Sequence, residues 1–278
     1  MRKFQRITKI ALATLAALIL TTSPALAGKK NDGPVQIGQD LQKNKKTSES
    51  LFPIVILEPG AYVLVTNLDL TIDPLATADT DAIQIAADNV SLNMNGFSII
   101  GPGSCTGSPV DDCDPSGEVE GGSGVDACAG EGCVKNTTVV DGTIRGMPGH
   151  GLRLGDAARV ERIRAEENGE GGIGVGGNSA VTYCQAIRND DFGIAGGDSS
   201  RLTHNTASGN GGPGTSAGEQ CFVAGNVLTG NIIGLFIADN SGYLENIVTD
   251  NNTNVSSQGV GDPDQLGKNL CGNDTGCP

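Results

Sequence analysis

The stretch NGEGGIGVGGNSAVTYCQAIRN (residues 168–189) begins and ends with Asn and holds one complete period of a repeat. Three residue types recur with the same spacing of 21 residues on either side of it. The columns are Asn168, Asn189, Asn210, Asn231 and Asn252; Gly151, Gly172, Gly193 and Gly214; and Val160, Val181, Leu202, Val223 and Leu244. Gly234 stands one residue early for the glycine column, and we expect the register to recover by Leu244. Three columns with one period predict a protein built of stacked repeats.

Within one period, short apolar–polar–apolar pieces such as Leu152–Leu154 and Ile173–Val175 alternate with Gly and Asn or Asp turns. No segment beyond the first 27 residues has the 3.6-residue periodicity of a helix. The sequence therefore predicts an all-β parallel β-helix, a solenoid with about 21 residues per turn and a rise of about 4.8 Å between turns. We expect Val160 and its equivalents to stack inside as an aliphatic ladder, and the Asn residues to stack as amide ladders.

The chain begins with a segment typical of a secretory signal peptide, residues 1–27. It has a basic start, an apolar run too short to span a bilayer, and the cleavage pattern Ala25-Leu26-Ala27. We therefore expect a secreted or periplasmic protein with no membrane span after signal cleavage. The further boundaries predicted from composition are a polar leader at 28–50, a β-helix domain at 51–255 with a Cys-rich acidic insertion at 101–133, and a Cys-containing C-terminal cap at 256–278.

Charge and cysteine content narrow the function classes. The formal net charge is −14, and removal of the four basic residues of the signal leaves 14 Lys and Arg against 32 Asp and Glu. Such an acidic chain disfavours nucleic-acid binding. All eight Cys lie after the signal, which favours disulfides. Cys184 and Cys221 are badly spaced for a bridge and are expected as buried thiols. The disulfide candidates are Cys105, Cys113, Cys128, Cys133, Cys271 and Cys277, of which the first four can pair in three ways or bind zinc.

Over residues 51–255 the chain resembles the right-handed parallel β-helix proteins of the pectate-lyase-like superfamily. The motifs that carry the resemblance are Gly60-Ala61-Tyr62-Val63-Leu64, Asn95-Gly96-Phe97-Ser98-Ile99 and the Cys-containing C-terminal cap, and they are most similar to exported bacterial β-helix proteins of unknown role. The superfamily includes polysaccharide lyases, glycoside hydrolases, esterases and adhesins, so the resemblance implies a right-handed fold more strongly than any one activity.

The resemblance makes His150, in Gly149-His150-Gly151, a candidate catalytic residue. Polygalacturonases of the superfamily carry a Gly-His-Gly motif with an Asp pair before it and an Arg-Ile-Lys after it. Here Asp190-Asp191 follows the His, and the later motif reads Arg162-Ile163-Arg164. Hydrolysis of a glycosidic bond needs two placed carboxyl groups, and the family's Asn-Thr-Asp is here Asn205-Thr206-Ala207. The motif is therefore incomplete.

A column of acids is the second candidate. Asp156, Asp198, Glu219 and Asp239 each follow their turn glycine by five residues, which places the last three about 5 Å apart on neighbouring turns. Like charges this close favour a bridging cation, and Ca²⁺ prefers such oxygen ligands. Lyases of the superfamily bind uronate through Ca²⁺ and use Arg or Lys as the base, a role that the resemblance gives to Arg159 and Arg201. The alternative is that Asp simply stabilises tight corners.

Two functions remain open. The first is an exported protein that interacts with polysaccharide, with a Ca²⁺-assisted lyase-like activity or binding alone. Sugar stacking would depend on Tyr62, Tyr183 and Tyr243, because the chain has no Trp. The alternative is a non-catalytic structural, adhesin-like or envelope surface protein. A solvent-facing, non-repeating cluster of Asp and Arg in a groove would favour the first, and a surface of ladders alone the second.

Overall fold

The computed structural model describes residues 33–39, 49–114, 121–130, 132–258 and 263–272. The predicted signal peptide lies outside these residues. Within them, 27 strands and one short 3-10 helix, Leu70–Ile72, account for the regular structure. The strands are β1 Val35–Ile37, β2 Ile54–Ile56, β3 Gly60–Leu64, β4 Leu68–Asp69, β5 Ile83–Ile85, β6 Val90–Asn93, β7 Ser98–Ile100, β8 Ser104–Gly107, β9 Val110–Asp114, β10 Val125–Asp126, β11 Thr138–Arg145, β12 Leu152–Leu154, β13 Arg159–Glu166, β14 Ile173–Val175, β15 Ala180–Thr182, β16 Gln185–Ile187, β17 Ile194–Gly196, β18 Arg201–Thr203, β19 Thr206–Ser208, β20 Pro213–Ala217, β21 Phe222–Ala224, β22 Val227–Thr229, β23 Ile233–Ala238, β24 Gly242–Leu244, β25 Ile247–Thr249, β26 Thr253–Gln258 and β27 Asp264–Gln265.

Except for the hairpin β8–β9, the described strands pair in parallel and form three long faces. Face I is the nine-stranded sheet β2-β5-β10-β12-β14-β17-β20-β23-β26. Face II is the row β1-β3-β6-β11-β13-β15-β18-β21-β24-β27, and face III contains β4, β7, β16, β19, β22 and β25. The long strands β11 and β13 run through both face II and face III and join them into one sheet. This is a right-handed parallel β-helix, as predicted.

The interior is a stack of aliphatic side chains, and its central column confirms the predicted ladder. Val139, Val160, Val181, Leu202 and Val223 pair in succession and are fully buried. Burial of such side chains is the main stabilising contribution, and in a solenoid it arises only when one coil covers the next. Among the described residues, no helix has the length and apolar character needed to cross a membrane.

The predicted recovery of register at Leu244 is wrong. Val223 pairs with Tyr243, which is fully buried, and Leu244 pairs with Ala224 instead. The corner after Asn231 is one residue shorter than the corner after Asn210, so Pro213 pairs with Ile233. Nothing later restores the lost residue, since Ile233 pairs with Thr253 at the same separation. A parallel strand pair transmits a register shift to the next coil instead of absorbing it.

Buried amide ladders occupy two corners of every repeat. At the corner from face III to face I, the Oδ1 atom of each Asn accepts the backbone N–H of the Asn one coil earlier, at 2.9–3.2 Å. This ladder is Asn168, Asn189, Asn210, Asn231 and Asn251, so that Asn251 takes the place predicted for Asn252. A second ladder, between faces II and III, contains Asn205, Asn226, Asn246 and Asn269.

The solenoid extends past the predicted domain boundaries at both ends. Strand β1 lies within the predicted leader at 28–50 and pairs with Tyr62–Leu64 of β3. Strands β26 and β27 reach into the predicted cap at 256–278. The predicted insertion at 101–133 contains the hairpin β8–β9 and then returns to face I through β10.

The cysteines are arranged as follows. Cys105–Cys113 and Cys128–Cys133 are disulfides between sequence neighbours. Cys271 is disulfide-bonded, and Cys277 lies outside the described residues. Cys184 and Cys221 are buried thiols, as predicted.

The register shift can be tested by stability measurements. Asn251→Ala removes the Oδ1 acceptor of the Asn231 N–H and the Nδ2 donor to the carbonyl of Leu228, so we expect a loss of about 2 kcal/mol in unfolding free energy. Asn252→Ala alters an exposed neighbour and should change it by less than about 0.5 kcal/mol. Urea titration followed by circular dichroism measures both. A larger loss for Asn252→Ala would restore the register predicted from sequence.

Candidate functional site

His150 lies two residues before β12, where the chain enters face I. Its Nδ1 atom accepts the backbone N–H of Gly171 at 3.0 Å, and its Nε2 atom lies 2.8 Å from Oε2 of Glu170. The Gly171 amide can only donate, so the imidazole proton lies on Nε2 and points to the Glu170 carboxylate. The side chains are 18% and 29% exposed, so the pair is accessible to a ligand.

A missing side chain creates the space for an aromatic contact. Gly171 separates His150 and Phe192 along one column, and a Cβ atom at Gly171 would lie 2.2 Å from the Phe192 ring. Because Gly171 has none, the rings of His150 and Phe192 stack at 5.6 Å between centroids. The imidazole is therefore fixed by two hydrogen-bond partners and one aromatic ring.

Asp191 adds a second carboxyl group one coil beyond Glu170, and its backbone N–H donates to the Glu170 carbonyl at 3.2 Å. The two acids differ electrostatically. The hydrogen bond from His150 is the main reason that the pKa of Glu170 is lowered. Burial is the main reason that the pKa of Asp191 is raised, and the charge of Glu170 adds to it while His150 opposes it. Neighbouring acids with opposite pKa shifts are suited to proton transfer.

Arg153 projects from the outer side of β12 beside this pair. Its Nε atom donates to Oδ1 of the buried Asp126 at 3.2 Å, and Nη2 donates to the carbonyl of Cys128 at 2.9 Å. The next outward positions on face I are the small residues Gly174, Ala195 and Ser216. We name His150, Arg153, Glu170 and Asp191 the His150 cluster. It borders an open strip of small residues along face I.

The acidic insertion frames the cluster. The Gly121 N–H donates to Glu170 and contributes to the lowered pKa of that carboxyl group. The hairpin β8–β9 packs on the corner nearby, where Arg188 donates to the carbonyls of Cys105 and Gly107. The Val110 N–H donates to the Gly209 carbonyl at 3.0 Å. The insertion therefore borders the cluster, whereas sequence reasoning only located it along the chain.

The predicted acid column lies at another corner, between faces I and II. Oδ1 of Asp156 accepts the Gly177 N–H at 3.1 Å, and Oδ1 of Asp198 accepts the Glu219 N–H at 2.9 Å. These bonds give Asp a structural role at the corner, in the amide of the next coil. Within the described ranges, no group of three or more His, Cys, Asp or Glu side chains is arranged to hold a metal ion. Calcium binding by Asp198, Glu219 and Asp239 stays a prediction.

Arg159 and Arg201 lie on the outer side of face II and are not brought to the His150 cluster. The Arg159 guanidinium pairs with Glu161, and that of Arg201 lies 5.1 Å from the centroid of the Phe222 ring. Their predicted role as a base also stays a prediction. Burial raises the pKa of the Cys184 thiol to about 11 and raises that of Cys221, which suits packing and not nucleophilic chemistry.

Sequence reasoning found His150 and Asp191 but missed Glu170 and Arg153. Glu170 and Asp191 each stand three residues before a face I strand, so they share one column at a spacing of 21 residues. That signal was present in the sequence. It was hidden because the column contains glycines elsewhere, at Gly149 and Gly212.

The opposite pKa shifts predict opposite effects on stability. Glu170 has a lowered pKa, so it stabilises the fold above its unfolded pKa and loses this effect as the pH falls. Asp191 has a raised pKa, so its ionisation destabilises the fold as the pH rises above the unfolded value.

At pH 7, Glu170→Gln should therefore lower the unfolding free energy by about 1 kcal/mol, and Asp191→Asn should raise the melting temperature. Both differences should shrink towards pH 3, where both acids are protonated in either state. Thermal melts at the two pH values measure this. A change of the same sign for both variants at pH 7 would contradict the assignment.

No protein-family model and no curated protein matches the chain. Among solved structures, the A-module of mannuronan C-5 epimerase AlgE6 from Azotobacter vinelandii is similar, with 15% identity and a TM-score of 0.45 over 81% of this chain and 68% of that one. The periplasmic alginate epimerase AlgG is similar, with 11% identity and a TM-score of 0.40 over 85% of this chain and 72% of that one. The parallel strand order and coil-to-coil register described above make this chain a right-handed parallel β-helix protein with the pectate-lyase-like fold.

Proposed function

We propose that the protein is exported and acts on polysaccharide, which it binds as an extended chain along face I across the His150 cluster. The observation that carries the proposal is the His150–Glu170 hydrogen bond with the Asp191 carboxyl group one coil away. Nothing in the repeat requires these side chains, since glycine occupies the same column at Gly149 and Gly212. Polar side chains that a fold does not need, in a partly exposed cluster, are candidates for function.

The shape of face I supports an extended ligand. Gly174, Ala195 and Ser216 leave a flat strip along the solenoid axis, with Arg153 and Phe192 beside it. Glu170, held ionised by His150, is the proton acceptor of the cluster. Asp191 retains its proton to higher pH and is the donor. The two disulfides between neighbouring cysteines support export, because such bonds persist in oxidising compartments.

A Ca²⁺-assisted, lyase-like activity is the more detailed form of this proposal. It would use the column of Asp198, Glu219 and Asp239 with Arg201 or Arg159 as the base. The hydrogen bond from the Glu219 N–H to Asp198 accounts for that aspartate without an ion, so the calcium requirement has to be measured independently of the His150 cluster.

An adhesin-like surface protein is the second candidate. The observation that favours it is an apolar stripe on the outer side of face III near the C-terminal end, where Val227, Ile247 and Leu270 are exposed. Exposed apolar residues in a row are typical of a surface that contacts another macromolecule.

Residues 28–278, incubated with neutral and anionic polysaccharides with and without Ca²⁺, test the proposal. We expect new reducing ends or unsaturated products, and a loss of turnover of about 100-fold in His150→Ala and Glu170→Gln, since general acid–base groups contribute this much. Glu245→Gln makes the same chemical change at an exposed position on another corner and should keep full turnover. Product that requires Ca²⁺ would support the acid column as a site.

Two outcomes would contradict the proposal. One is turnover that survives both cluster substitutions unchanged. The other is the absence of product and of binding on every polysaccharide, which would favour the adhesin-like function.

A further inference from the structure

A second surface cavity lies far around the coil from the His150 cluster, where face II meets face III. Each coil turns there at a single residue with positive φ: Asp141 at 62°, Arg162 at 51° and Tyr183 at 55°. Above these residues is a shallow cavity of about 420 Å³ that spans four successive coils, from Gly96 to Gln185. We name it the corner cleft. Its polar and aromatic lining comes from Asp141, Thr143, Arg162, Arg164, Tyr183 and Gln185.

Tyr183 is the aromatic wall of the cleft. Its side chain is 60% exposed, whereas Tyr243 is fully buried and Tyr62 donates its hydroxyl to the Glu58 carbonyl. His204, one coil further on, stacks on the Tyr183 ring at 5.2 Å between centroids. The cleft extends in the opposite direction, towards Arg162, and Tyr183 and Gln185 belong to its last coil. The other side of the ring therefore borders the cleft.

The fold does not require this ring. Gly225 occupies the same corner two coils later, with φ of 65°, and glycine is the residue that such a corner favours. An exposed tyrosine in left-handed geometry is an unfavourable choice for stability alone. An aromatic side chain that costs stability and borders a cavity indicates a ligand.

The polar lining is charge-balanced and rigid. The Arg162 guanidinium donates to both oxygens of Asp141, and its Nη1 donates to Glu161 at 2.9 Å. Arg164 donates to Glu166 at 2.6 Å and to Oε1 of Gln185 at 2.8 Å. The hydrogen bond from Arg162 lowers the pKa of Asp141, so the carboxylate stays ionised. Two arginines thus face three carboxylates, and the cleft offers fixed donors and acceptors without a positive excess.

We infer that the corner cleft binds an uncharged saccharide, as a second site separate from the His150 cluster. The apolar face of a sugar ring packs on Tyr183, and its hydroxyl groups bond to the Asp141 carboxylate and to the Arg162 and Arg164 guanidinium groups. Hydroxyls both donate and accept, so they suit a lining that presents both kinds of group. An anionic sugar would meet Asp141, Glu161 and Glu166 and bind more weakly.

Calorimetric titration of residues 28–278 with neutral hexasaccharides of glucose, mannose and xylose, and with a hexauronate, tests this inference. We expect at least one neutral hexasaccharide to bind more tightly than the hexauronate. Tyr183→Ala should weaken binding at least tenfold, while Tyr183→Phe, which keeps the ring, should stay within twofold. Arg162→Lys should weaken binding at least fivefold, because lysine cannot replace the bidentate contact with Asp141.

Two controls separate this site from the rest of the molecule. Arg145→Lys makes the same change at an exposed position on face III outside the cleft and should leave binding within twofold. His150→Ala should also leave it unchanged, so failure of the proposed function on face I and failure of this inference are distinguishable. Equal binding by Tyr183→Ala and the unsubstituted chain, tighter binding of the hexauronate, or no binding of any neutral hexasaccharide would each overturn the inference.

Discussion

Each coil of this solenoid leaves the sheets at its corners, and there the backbone N–H groups have no strand beside them. At the buried corners this would leave donors unsatisfied, which is costly away from water. Asparagine solves the problem, because its Oδ1 atom reaches the backbone of the preceding coil while its Nδ2 atom donates to nearby oxygens. Asn210, for example, accepts the Asn189 N–H and donates to the Ala186 carbonyl. The stacked coils, their faces and the positions of every outward side chain depend on these amide columns.

A scaffold fixed in this way places variable residues with little freedom. Outward positions repeat once per coil, so a side chain that differs from its column neighbours acquires partners on the adjacent coils. His150 reaches Glu170 and Phe192 on later coils because Gly171 leaves room between them. Tyr183 rests on His204 by the same rule. Both candidate sites are therefore departures from the repeat, held by the repeat itself.

This explains which features were predictable. The Asn and Val columns are periodic, so the spacing alone located the ladders and the interior. The error at Leu244 arose because a lost residue was assumed to be recovered, whereas strand pairing carried it forward to Tyr243 and Asn251. The contact of His150 with Glu170 joins two different columns, and a search for identical residues within one column does not detect such a pair. The outward direction of Tyr183 follows from its left-handed backbone, which propensity does not indicate for tyrosine.

The hairpin β8–β9 has a mechanical consequence. A stacked array is normally held by contacts between adjacent coils only, so it can fray from an end one coil at a time. Here Arg188 is tied to the Cys105 carbonyl, 83 residues earlier in the chain, and the Val110 N–H is tied to Gly209. Peeling the N-terminal coils therefore has to break a fastener that bridges several layers at once. The hairpin acts as a clip, and it converts the middle of the array into one cooperative block.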